Sequence, residues 1–214
     1  MWADLLMALG KDQAAHEVVK SVPLDDIDPR TAANLYTSLG ELELQLQQMR
    51  PRVKGNAQVG EPSLATVLLL HALDAHQEAH EQTNETLLHM DLALTNFLDG
   101  HREQANSELL KVLLRSDALT NQQRMELLDL QVRIAIDDNK LEKAGQLLEQ
   151  LDLLSKQYEN DQRNLFSCKV AIGRTEIKVK LARSIFEASS GLKQCINSSA
   201  KLTHYDRVAL VQRL

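Results

Sequence analysis

At 214 residues, 43% apolar and 25% charged, the chain has the composition of an ordinary globular protein and enough length for a sizeable core, as one large or two small domains. Aromatics are only 3%, with eight Gly and four Pro, so the core must be built from Leu, Ala, Val and Ile, which suits packed helices and not a β-sandwich or barrel. The net charge of −6 weighs against nucleic acid as a direct partner, because phosphate binding needs a basic surface.

The N-terminus, MWADLLMALGKDQ, lacks a basic leader and a long apolar region, so it does not read as a secretory signal. Residues 2–9 and 11–22 read as a short helix pair turning at Gly10-Lys11, with Val18, Val19 and Val22 on one face. Pro23 stops the second helix, and PLDDIDP is a loop. Asp28 is a suitable N-cap and Pro29 a suitable first helical residue. The helix they open is expected to run to about Met49, with Leu35, Leu39, Leu42 and Leu46 at helical spacing. Pro51 ends it, and residues 54–62 form the longest structureless connection.

Ser63 is expected to cap a helix from Leu64 to about Gln82, striped with Leu68, Ala72, Ala75 and Ala79. Thr83 or Asn84 caps the next, in which Leu87, Leu88, Leu92 and Leu94 lead to Phe97. A turn follows at Asp99-Gly100. A helix over His101–Arg115 then turns Ala105, Leu109, Val112 and Leu113 inward. Thr120 or Asn121 caps a helix through Leu127, Leu128, Leu130, Ile134 and Ile136, and another follows over Leu141–Tyr158. Residues 159–164 are either a turn or the polar start of a helix. The pattern then stays helical from Leu165 to about Ala188, with Val170, Ile177, Leu181 and Ile185 in step, and two shorter helices close the chain. No alternating strand pattern is found.

One phrase returns along this series. Gly10 is followed five residues later by Ala15, Gly100 by Ala105, and Asn139 by Ala144. After each alanine come apolar residues at the same steps: Val19 and Val22, Leu109 and Val112, Leu148 and Leu151. Tyr36 and Gly40, four apart, pair an aromatic with a small residue. A helix-turn-helix phrase that recurs signals stacked helical units. The phrase resembles the middle of a tetratricopeptide repeat, where the first helix ends at Gly and a small residue lets the second helix cross closely. The 39-residue offset between the second and third phrases exceeds that family's usual unit. The early aromatic is replaced by His89 and Leu128, and no closing Pro appears. Longer units of this kind are similar to the sensor domains of large bacterial signal-transduction activators of the maltose-regulator type.

The resemblance implies an all-α fold, an α-solenoid of antiparallel helix pairs, with residues 1–53 as N-terminal repeats and 63–214 as the main repeat region of one continuous superhelix. Both ends stop in mid-stripe, without the polar capping helix that solenoids need. A fragment of a longer protein is therefore expected, and a homodimer through uncapped ends. The implied function is a non-catalytic binding scaffold, cytoplasmic and without cofactor or bound metal, taking a protein or peptide on its concave face. The alternative is a ligand-sensing regulatory domain of a transcriptional activator or other signalling protein, with a small-molecule effector. The polar positions of the first helices give the candidate lining: Asn34, Thr37, Ser38, Asn96, Gln131 and Arg133.

Three other features have the residue types that chemistry could use. His71, His76, His80 and His89 lie close in sequence, and His76 and His80 share a helical face at i,i+4, as metal ligands can. The zinc-protease motif needs Glu directly after the first His, where this chain has Gln77. Glu78 points about 200° away. A solvated polar face is the plainer reading. Cys168 with a distant His such as His204 lacks an oxyanion turn and reads as a small core residue. Two reduced thiols are commoner than a Cys168–Cys195 bridge in such a setting. Lys169, Arg174, Lys178, Lys180 and Arg183 make a local basic segment, read as a solvated face ahead of an anion site. Gly-rich phosphate loops are absent.

Overall fold

The computed structural model describes residues 11–21, 28–49, 61–79, 85–158, 161–181 and Val208. All regular structure among them is helical. The helices are α1 (Asp12–Lys20), α2 (Pro29–Met49), α3 (Leu64–Glu78), α4 (Glu85–Asp99), α5 (Arg102–Leu113), α6 (Asn121–Asp137), α7 (Leu141–Ser155) and α8 (Asp161–Lys180), with a 3₁₀ turn at Ser116–Ala118. None of the described helices is long and apolar enough to cross a membrane. The chain divides into two compact units, Met1–Ser116 and Asp117–Leu214.

Local chemistry sets the helix starts. The Thr31 amide donates to Asp28 Oδ1 at 3.1 Å, with Pro29 in the first turn. Ser63 accepts from the Thr66 amide at 3.3 Å. Thr120 closes a full capping box: its hydroxyl accepts from the Gln123 amide, and the Gln123 side chain accepts from the Thr120 amide. Each cap supplies an acceptor to an amide that the helix itself leaves unpaired.

In the first unit α2 packs along α3, α3 on α4, α2 also on α4, and α4 on α5, while α1 rests on α2. Leu69, Ala72 and Leu73 of α3 meet Leu88 and Leu92 of α4 in a core that Tyr36 borders from α2. Ala32, Ala33 and Ala75 form a second, small-residue contact beside the same tyrosine. The α2–α3 crossing is close. A Cβ placed on Gly40 would stand 2.8 Å from both Cγ and Cδ2 of Leu69 and 3.3 Å from its backbone nitrogen. Any larger residue would push the helices apart.

In the second unit α6 packs on α7, α7 on α8, and α6 on α8. Met125, Val132, Ala135 and Ile136 of α6 meet Ala144, Leu147, Leu148 and Leu151 of α7, and Phe166 and Val170 of α8 complete the core. Full burial of each large side chain is worth roughly 2 kcal/mol. Gly173 lets α8 approach: its Cβ would fall 2.8 Å from Leu148 Cδ2 and 3.4 Å from Val132 Cγ1.

The two hairpins α4–α5 and α6–α7 turn in the same way. Gly100 sits at φ 84° and Asn139 at φ 61°, both left-handed. After Gly100 the His101 amide donates to Asn96 O at 2.8 Å, and after Asn139 the Lys140 amide donates to Ala135 O at 2.8 Å. Gly100 and Asn139 themselves donate to Phe97 O and Ile136 O. This is the Schellman ending, which needs a residue at ease with positive φ. Asn is the commonest substitute for Gly there. Ala105 and Ala144, one turn into the next helix, are both buried, as are Leu109 and Leu148, and Val112 and Leu151. The first phrase, Gly10 to Ala15, falls largely outside the described residues.

Several boundaries differ from expectation. The helix after Ser63 ends at Glu78, with Ala79 as C-cap. The helix after Gly100 spans Arg102–Leu113, and Leu113, expected inward, is exposed, at the edge of the face that buries Leu109 and Val112. The helix after Asn139 ends at Ser155. Residues 161–164 are the polar start of α8. Leu181, expected in step with Val170 and Ile177, follows the last turn of α8 and is exposed.

Candidate functional site

Few charged groups in the interior stand alone, and most of the partners come from a different helix. In the first unit the His16 ring nitrogen Nδ1 of α1 lies 2.7 Å from the carboxylate of Glu43, which is buried on α2. His76, buried on α3, meets the Thr37 hydroxyl of α2 at 3.3 Å. His89, buried on α4, lies 2.6 Å from Glu108 of α5, whose other oxygen accepts from Lys111 at 2.8 Å. Burial by itself raises the Glu108 pKa. The hydrogen bonds from His89 and Lys111, with their charges, outweigh it and hold this carboxyl below the ordinary glutamate range.

Asp99, in the last turn of α4, joins three elements. Its Oδ1 accepts from Gln47 of α2. Its Oδ2 accepts from the Ser63 amide at 3.1 Å and from the Thr66 hydroxyl at 3.0 Å, at the start of α3. A carboxylate so placed also meets the positive end of the α3 dipole.

In the second unit Lys169 of α8 reaches Asp129, buried on α6, at 3.5 Å and lies 4.8 Å over the Phe166 ring. Arg174 of α8 and Lys156 both bond Asp152 Oδ2 at 3.1 Å. Desolvation raises the Asp152 pKa, and the Lys156 and Arg174 hydrogen bonds more than reverse it, leaving the group below its ordinary value. Lys180 donates to Ile136 O at the end of α6. The basic segment of α8 is largely exposed, at Arg174, Lys178 and Lys180, with Lys169 half-buried, and Lys169, Arg174 and Lys180 each also bond a neighbouring helix. Arg183 lies outside the described residues.

The chain matches no family model, no curated protein and no solved structure. Geometry alone must locate a binding face.

The six candidate lining residues fall in both units. Asn34 and Ser38 are exposed on α2. Thr37, half-buried between them in sequence, donates its hydroxyl to Ala33 O at 2.8 Å as well as meeting His76. Asn96 is buried in α4, and its side-chain amide donates to Leu92 O at 2.8 Å. It sits at the Schellman turn, where its own carbonyl receives the His101 amide. Gln131 and Arg133 are half-buried on α6.

The histidine cluster does not form a solvated face. His71 is exposed and stacks on Tyr36, ring centroids 5.3 Å apart, whereas His76 and His89 are buried between helices. His80 lies outside the described residues. Among the described residues no three His, Cys, Asp or Glu side chains converge as a metal site would require. Cys168 is buried against Ile172 and Leu165, a small core residue as expected; Cys195 lies outside the described residues. Sequence reasoning missed the roles of Glu43, Asp99, Glu108 and Asp129. Their partners on other helices stand 19 to 52 residues away, beyond any periodicity signal.

Proposed function

We propose that the chain is a non-catalytic binding scaffold, a stack of antiparallel helix pairs of the tetratricopeptide-like kind, whose first helices receive a protein or peptide partner. One observation carries the reading: the same turn, the same buried alanine and the same buried apolar steps occur twice, 39 residues apart. The packing order agrees with it. In each unit a helix contacts the next one and the one after that, α2 with α3 and α4, α6 with α7 and α8. That is the arrangement in which hairpins lean on their successors and none is stable alone.

Most interior polar groups described are bonded to a neighbouring helix or to their own, so the reading places recognition on polar residues that reach the surface. On α2 these are Asn34 and Ser38, and on α6 Gln131 and Arg133. Each pair is treated as a separate patch on its own unit. Asn96 is left out of the recognition set, since its amide is engaged within α4.

The test is affinity capture with the native chain beside two double variants, Asn34→Ala/Ser38→Ala and Gln131→Ala/Arg133→Ala. A partner retained by the native protein and lost by either variant, with melting unchanged, supports the scaffold. An identical set of captured proteins from all three, or turnover of a small substrate by the purified chain, overturns it.

A further inference from the structure

Of the exposed leucines among the described residues, Leu70, Leu153 and Leu181 stand apart and three lie together. Leu110, Leu113 and Leu114 are 62%, 38% and 87% exposed. At spacings of three and four they form one strip along the end of α5. Lys111 and Arg115 border the strip, their side chains 47% and 54% exposed. Their partners Glu108 and Glu85 lie toward α4, and ion pairs this open to water hold weakly. This end of α5 is thus apolar with a cationic margin. Exposed apolar groups that cluster mark contact surfaces far more often than single ones do.

The equivalent place in the second unit carries the opposite margin. Leu153, 39 residues after Leu114, is 65% exposed on α7. Exposed Glu149 lies one turn before it, where α5 has Leu110, and exposed Glu142 continues the same row. Asp152 takes the place of Leu113. Two exposed cations, Lys156 and Arg174, both pair with Asp152 on this side, which leaves Glu149 and Glu142 as the acids beside Leu153.

We propose that the α5 strip of one molecule docks on the Leu153 end of α7 of a second copy of this chain. Leu110 and Leu114 would cover Leu153, while Lys111 and Arg115 face Glu149 and Glu142. The contact joins two different surfaces, so a single such contact leaves one face of each kind unused on the pair. It is small, and its affinity belongs in the range of roughly 10 µM to 1 mM. The proposal concerns the second helices of the hairpins and stands independently of the scaffold reading, which concerns the first.

Sedimentation velocity of the native chain across that range tests it, with Leu110→Ser/Leu114→Ser and Glu149→Lys as variants and thermal melts to confirm that each is folded. The native weight-average mass is expected to rise steeply with concentration across that range, and both variants to stay monomeric. Mixing the two variants is the decisive arm. Glu149→Lys keeps an intact α5 strip and the leucine double variant keeps an intact α7 end, so the mixture should form 1:1 dimers and nothing larger. A native chain that stays monomeric throughout overturns the proposal. So does association that survives both variants, or a mixture that does not associate.

Discussion

Replacing Gly100 and Asn139 each by alanine tests whether the two hairpin turns are one device. Both positions are left-handed, at φ 84° and φ 61°. A residue with a Cβ pays roughly 1–2 kcal/mol for that conformation. Alanine at position 100 recovers about 0.5–1 kcal/mol by restricting the unfolded chain. The net loss for Gly100→Ala is therefore about 1 kcal/mol. Asn139→Ala has no such recovery, because asparagine is no freer than alanine when unfolded. It loses instead the local tolerance of asparagine for the left-handed region, again about 1 kcal/mol. Asn139→Gly should be within a few tenths of neutral, since the conformational relief and the added unfolded freedom nearly cancel. Amide hydrogen exchange reads each turn by itself. The amides of His101 and Lys140 close the two turns at 2.8 Å, and a loss of 1 kcal/mol speeds exchange through local opening about fivefold. Each variant should accelerate its own turn and leave the other unit nearly unchanged. Equal exchange in native and Asn139→Ala protein, or a stabilised Gly100→Ala, would refute the reasoning.

Gly40→Ala should destabilise the first unit by about 1–2 kcal/mol in urea unfolding, because overpacking against Leu69 outweighs the helix-propensity gain of about 1 kcal/mol; a stabilised protein would show that the helices separate freely. Asn96→Ala should cost about 1 kcal/mol, visible as a lower melting midpoint, since the buried amide bonds Leu92 O; an unchanged midpoint would return this residue to the surface. Glu108 has its pKa held below the unfolded value. Its contribution is therefore present above an unfolded glutamate pKa of about 4.3 and is lost as pH falls through the lower folded value. Unfolding midpoints measured from pH 7 to pH 3 should drop on acidification in the native chain. The drop should be shallower in Glu108→Gln, and two superimposable curves would exclude this carboxyl as a source of the acid sensitivity.

What the sequence discloses about this fold is what neighbours in sequence decide. Asp28-Pro29, Ser63 and Thr120 announce their helices because a cap is made within three residues. Gly100 and Asn139 announce their turns because few other residues accept positive φ. The apolar stripes locate Ala105, Leu109, Leu148 and Leu151 in the interior for the same local reason. Polarity misleads where a partner arrives from another helix. His76 and His89 read as solvated until Thr37 and Glu108 are brought beside them. Asn96 reads as a surface group, yet its amide folds back on its own helix. Lys169 reads as part of a water-facing stripe, while the acid it reaches, Asp129, lies buried on α6. Which polar face binds another molecule depends on helix crossings of this kind, and spacing along the chain does not encode them.

Asp99 closes α4 and at the same time holds the opening turn of α3, 36 residues earlier. These two bonds couple the two helix ends. A strained or cleaved turn at Gly100 would be felt first at the Ser63 and Thr66 end of α3, far along the chain but adjacent in space. Loosening one hairpin thus loosens the seam before it, and the first unit gains cooperativity from a single carboxylate that no helical stripe contains.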